Sequence, residues 1–336
     1  MILPWHRADL QRLASEGAGM PHTILIRGPE GIGKLEFARS LTQALLCEGV
    51  RIKGLACESC ASCDWVSQAG HPDFRVVATE SEQDSGDEGQ GDKKRASVQI
   101  GVEQIRALTE FVNLSSHRNR GKVILIHPAE AMNTAAANAL LKSLEEPPPA
   151  TYFLLVSHRW HQVPATVKSR CRQVILTAPD REAAQAWLSE QGTAQPEIAL
   201  AHAGGAPVAA ARFEPEYWEQ RAEFVATIAK PDFDPLSAAE NLRDLAPANL
   251  VRWLQQWSYD MALHSVSGEA RYHPDFTEAV GRVARRASLI NTLRFHRQMV
   301  ASQRIVHHPL NPRLFLEELL LNYRALVNTQ GSERVT

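Results

Sequence analysis

The chain has 336 residues, 44% of them hydrophobic, which is more than one compact core usually organises, so two or three domains are expected. A net charge of −2 exerts no global pull toward nucleic acid or membrane, and no stretch approaches the roughly 18 apolar residues that span a bilayer. The opening MILPWHRADL has no cationic segment followed by an apolar run, so a soluble cytoplasmic protein is expected, in which five cysteines point to metal ligands or free thiols rather than disulfides.

HTILIRG (22–28) is a β-branched run ending in glycine, a strand entering a turn. A helical pattern follows from Gly33 to Leu46. DFRVVAT (73–79) predicts a second strand. SEQDSGDEGQGDKK (81–94) holds no apolar residue to offset ordering entropy, so a disordered loop is expected over about 80–97. Residues 80–95 carry six acids and three bases, which leaves the rest of the chain at +1. A helix is expected over 102–113, a strand at KVILIH (122–127) and a helix over 134–146. TYFLLVS (151–157) and RQVILTA (172–178) add two strands. Such alternation implies a parallel sheet covered on both faces. After Pro179 the β-branched runs stop. Residues 180–211 fit two or three short helices, and the remainder holds long helical patterns such as 250–266 and 311–327. The expected layout is an α/β domain over 1–178, a small helical domain over 179–211 and a helical domain over 212–336.

Gly28, Gly31, Gly33 and Lys34 follow the phosphate-loop pattern G-x-x-x-x-G-K, between a predicted strand and a predicted helix. The glycines let backbone N–H groups converge on a phosphate at a helix N-terminus, and the lysine adds a point charge. The next position should be a hydroxyl that holds Mg²⁺, and it is Leu35. A later strand should end in acids, yet KVILIH ends in His127 and Pro128, with Glu130 displaced by three positions. With two metal-binding elements missing, no ATP is expected in this site and no hydrolysis by the chain. Cys47, Cys57, Cys60 and Cys63 are spaced C-x9-C-x2-C-x2-C, which suits a closed tetrahedral Zn²⁺ site of structural type in a module over about 47–65. ESCASCDW has more acids than bases, which argues against DNA contact by this module.

AANALLKSLEEPPPATYFLLVS (136–157) and VKSRC (167–171), with the degenerate loop and the cysteines, resemble clamp-loader subunits of the AAA+ class in bacterial DNA polymerase III. The resemblance is strong over the first 180 residues; the last 120 match in length and helical character. It implies an AAA+ α/β domain, a helical lid and a helical collar that joins a hetero-oligomeric ring. The ring's other members would be an ATPase subunit and a delta-type subunit, acting on a sliding clamp and primed DNA as part of a DNA-directed DNA polymerase complex. Ser169, Arg170 and Cys171 stand where the family carries a triplet whose arginine reaches a neighbour's ATP site in trans. Gly204, Gly205, Ala206 and Pro207 fall where active relatives place a second sensing arginine, a third defect. Taken alone, Arg170 could instead cap its helix or pair with an acid. Two other readings of the chain are an active AAA+ ATPase with unusual metal ligation and a zinc-containing DNA-binding factor. GRVARRASLINTLRFHRQ (281–298) reads as a solvated helix face or as a stripe facing DNA or a partner, and WLQQW (253–257) as collar packing.

Overall fold

The computed structural model describes residues 2–79, 99–118, 120–306 and 311–328; the acidic segment expected at 81–94 lies outside them. The chain divides into two units, Met1–Ala183 and Ala184–Thr336.

In the first unit β1 (Thr23–Arg27), β2 (Phe74–Ala78), β3 (Lys122–His127), β4 (Thr151–Ser157) and β5 (Arg172–Ile175) form one parallel sheet in the order β2-β3-β4-β1-β5. The inner strands β3, β4 and β1 are buried almost throughout, whereas the edge strands β2 and β5 keep exposed positions. This is why the inner strands read as continuous apolar runs. Alternation along β1 sends Ile24 and Ile26 to one face and Leu25 to the other. On the first face lie α1 (Arg7–Ala14), α2 (Lys34–Leu46) and α3 (Ala61–Ser67), contributing Leu10, Phe37, Leu41 and Val66. On the second lie α4 (Val102–Asn113), α5 (Thr134–Glu145) and α6 (Ala165–Lys168), contributing Leu108, Phe111, Leu140 and Val167. β5 is shorter than the expected 172–178. Its partner β1 ends at Arg27, whose carbonyl accepts the last bond of the ladder from the Leu176 amide at 2.9 Å.

The second unit begins within α7 (Arg181–Glu190), followed by α8 (Pro196–His202), α9 (Pro207–Ala210), α10 (Pro215–Ile228), α11 (Pro235–Asn241), α12 (Pro247–Ser267), α13 (Thr277–Ala284), α14 (Leu289–Ile305) and α15 (Pro312–Val327). Six of these helices start on proline, whose fixed φ suits the first helical position and whose missing N–H costs nothing there. Ala184, Leu188, Ala199, Leu200 and Ala210 form one small core, and α10 to α15 enclose a larger one. Trp253 and Trp257 are buried in the larger core, where their ring N–H groups donate to the hydroxyls of Tyr217 at 2.8 Å and Tyr323 at 2.9 Å. WLQQW is therefore packing, as expected. The 281–298 stretch is split between two helices, because α13 ends at Ala284 and the Ser288 hydroxyl caps α14 by accepting from Asn291 N. Arg282, Arg285, Arg294 and Arg297 are exposed there, while Arg286 donates to the Pro231 carbonyl at 3.0 Å. Among the described residues no helix is long and apolar enough to cross a membrane.

Candidate functional site

β1 ends at Arg27 and turns at once into the glycine loop that opens α2. A Cβ at Gly28 would come within 2.2 Å of the Leu176 carbonyl oxygen, so only glycine fits beside the end of β5. Gly31 and Gly33 follow at φ 74° and 96°, and Lys34 is the first residue of α2. Strand, glycine turn and helix N-terminus are thus all in place. The loop's polar groups nevertheless serve the loop itself. The Lys34 ammonium donates to the Pro29 carbonyl, and the side chain is buried. Burial lowers its pKa to about 8 against the opposing pull of Glu30, Glu130 and Glu36. The Ile32 carbonyl accepts from Trp5 Nε1 at 3.0 Å and lies 2.9 Å from His6 Nε2, so the N-terminal segment braces the loop. Nothing in the sequence around Trp5 signalled that contact. Leu35 packs against the core beneath α1 and α2.

β3 and β4 end at the same edge of the sheet. His127 Nε2 lies 2.9 Å from His158 Nε2. Burial, and then His158, lower the His127 pKa to about 4, so the ring is neutral at pH 7 where Mg²⁺ would call for a carboxylate. Glu130 Oε1 accepts from the amides of His158 at 3.0 Å and Arg159 at 2.9 Å, which ties it to the turn after β4. In the second unit, Pro207 is buried at the start of α9.

The four cysteines come together. Cys47 closes α2, Cys60 caps α3 and Cys63 sits in its first turn. Their sulfur atoms and that of Cys57 all lie within 4.8 Å of one another, and Cys57 Sγ is 3.9 Å from Cys63 Sγ. A tetrahedral ion with Zn–S bonds of about 2.3 Å sets its sulfurs roughly 3.8 Å apart, so this donor set fits a metal. Gly49 is required here, because a Cβ would come 2.6 Å from Cys57 Sγ. Burial raises the Cys47 and Cys63 thiols, while hydrogen bonds from Ser59 lower Cys57 to about 6. A bound cation reverses the cost of burying thiolates. Ser62 supports the cluster by donating to Glu48 at 3.1 Å and lying 3.0 Å from His71 Nε2.

Ser169, Arg170 and Cys171 follow α6 and precede β5. Ser169 Oγ donates to the Thr166 carbonyl at 3.1 Å. Cys171 is buried, and burial pushes its thiol up to about 12, so it is an inert packing group. Arg170 Nε donates to Glu145 Oε1 at 2.6 Å, Nη2 donates to the same carboxylate, and Nη1 donates to the Thr166 carbonyl at 2.9 Å. Arg170 therefore pairs with an acid in this chain. Glu145 is the last residue of α5, and local spacing could not reveal a partner 25 residues away. Thr23 Oγ1 donates to the Leu144 carbonyl at 3.4 Å, which places that helix end beside the start of β1. Glu145 and Arg170 thus stand at the amino end of the sheet, and the phosphate loop at its carboxyl end.

His127 also predicts a pH dependence. Its folded pKa lies below the unfolded value near 6.5, so the unfolded chain binds the extra proton and the stability from neutral burial is lost as pH falls from about 6.5 toward 4. The loss should reach about 2 kcal/mol by pH 5. Denaturant unfolding from pH 7.5 to 5 should show His127→Gln falling less steeply than wild type. Parallel profiles would remove His127 from the acid response.

A family model described as DNA polymerase III, delta subunit, matches residues 7–180, and one described as DNA polymerase III, delta subunit, C terminal, matches residues 215–325. The chain is 35% identical to the DNA polymerase III subunit delta' of Pseudomonas aeruginosa over 76% of each chain. It is 33% identical to that of Escherichia coli over 75% of this chain and 73% of the other. The match to the Yersinia pestis subunit spans 97% of this chain and 96% of the other at 31% identity. Among solved structures, a DNA polymerase III gamma subunit-related protein of Thermotoga maritima aligns over 95% of this chain and 99% of its own at 18% identity and a TM-score of 0.43. With its parallel sheet and its helical C-terminal part, the chain belongs to the delta-prime subunit family of bacterial DNA polymerase III.

Proposed function

We propose that this chain is a non-hydrolysing member of a hetero-oligomeric clamp-loading ring and lends Arg170 to the ATP site of a neighbouring subunit. One observation carries the reading. Arg170 stands at the amino end of the sheet and the chain's own phosphate loop at the carboxyl end, a strand length of roughly 15–20 Å apart. Arg170 is thus badly placed for its own loop and available to another's. A guanidinium grips phosphate through a planar fork. The α/β unit would present this edge to an ATPase subunit. Residues 179–211 would act as a small lid with its own core, and residues 212–336 as a collar with the other subunits, a delta-type subunit among them. The assembled ring would place a sliding clamp on primed DNA in the cytoplasm.

The isolated chain should hydrolyse no ATP above background. Leu35, His127 and Pro128 leave Mg²⁺ without its usual ligands, and Lys34 is engaged within its loop. Calorimetry and turnover assays with ATP and Mg²⁺ test this; micromolar affinity with turnover would support an active ATPase instead.

Cys47, Cys57, Cys60 and Cys63 would hold one structural Zn²⁺, since four thiolates close its shell. Metal analysis of protein purified without chelator should find about one zinc per chain. Cys60→Ser should loosen the module and leave the helical second unit folded. A zinc content near zero in reduced protein would overturn the assignment.

Arg170→Ala should fold, join the ring and lose hydrolysis at the one site it completes, by about 10³–10⁵-fold at that site. Arg170→Lys should rescue poorly, because an ammonium lacks the two-pronged contact. DNA-stimulated ATPase and clamp loading with rebuilt rings are the measurements. Wild-type activity in an assembled Arg170→Ala ring would remove the role.

A further inference from the structure

Arg170 is held in place before any partner arrives. A guanidinium carries five N–H donors in one plane. Glu145 Oε1 takes the Nε donor at 2.6 Å and one donor of Nη2, and the Thr166 carbonyl takes one donor of Nη1 at 2.9 Å. The second Nη1 donor goes to Ser169 Oγ at 3.4 Å. One donor of Nη2 therefore remains for a phosphate oxygen.

Both partners stand on rooted backbone. Glu145 ends α5 directly after Leu144, which is buried and whose carbonyl accepts from Thr23. Three prolines, 147–149, follow after Glu146 and restrict the chain that leaves the helix. On the other side Val167 and Cys171 are buried and bracket Arg170. The C-terminal end of α5 also carries partial negative charge, which favours a cation beside it. The side chain of Arg170 is still 30% exposed, so a ligand can reach it.

We propose that Glu145 is a positioning residue that orients Arg170, so that its remaining Nη2 donor meets the phosphate of the neighbouring subunit's nucleotide. This rests on the reading of Arg170 as a residue that acts in trans. Without Glu145 the long side chain would sample many rotamers, and displacement by about 1 Å can cost up to roughly 10²-fold in rate.

The test uses complete rings rebuilt with wild type, Arg170→Ala, Glu145→Ala, Glu145→Gln and the double alanine variant. Single-turnover hydrolysis at the site that receives Arg170 is measured together with ATP affinity and ring assembly. Glu145→Ala should slow hydrolysis about 10- to 100-fold and leave ATP affinity and assembly unchanged. Glu145→Gln should slow it less, because its amide oxygen still accepts, and it carries the test if Glu145→Ala misfolds. The double variant should be no slower than Arg170→Ala alone, since positioning has no value once the guanidinium is gone. A wild-type rate for Arg170→Ala defeats the trans reading itself. A slow Arg170→Ala beside a Glu145→Ala that matches or exceeds wild type defeats the positioning role, as does a Glu145→Ala loss that adds in full to that of Arg170→Ala.

Discussion

β1 pairs in parallel with β4 on one side and β5 on the other, and this placement governs what the α/β unit can do. Parallel strands send every outgoing loop to one edge of the sheet and every incoming loop to the other. The glycine loop, His127 and His158 leave from carboxyl ends and therefore meet. Glu145 precedes β4 and Arg170 precedes β5, so they meet at the opposite edge. The glycine loop and Arg170 are thereby kept apart in one domain.

The carboxyl edge carries a glycine turn and a helix N-terminus whose polar groups are engaged within the chain. The Lys34 ammonium is taken by Pro29, the Ile32 carbonyl by the N-terminal segment, and Glu130 Oε1 by the turn after β4. Buried polar groups must find partners, and these find them within the chain. A loop closed in this manner is worth keeping for the fold alone, because Gly28 lets β1 and the end of β5 approach where any side chain would collide.

The cysteine module follows a more local logic. Two of its donors lie on or beside α3, one closes α2, and the fourth comes from the connecting loop. Donors so near in sequence converge with few long-range contacts, which is why their spacing already announced that the four thiols would meet. The buried tryptophans of α12 are the opposite case. Their pattern announced a helix with an apolar face, but the tyrosines that receive their ring N–H groups come from α10 and α15.

Much of the architecture was legible in the residues alone. Continuous apolar runs marked the inner strands, and the glycine after β1 marked the turn into α2. These are local properties, carried by composition and by periods of two and 3.6 residues. The break of the arginine-rich stretch at Ser288 was also written locally, in a helix-capping serine, though the stretch reads at first as one face. The strand order, the meeting of His127 with His158 and the pairing of Arg170 with Glu145 had no such signal. Each joins residues 25 or more positions apart, and only the packing of helices on both faces of the sheet determines which of them meet.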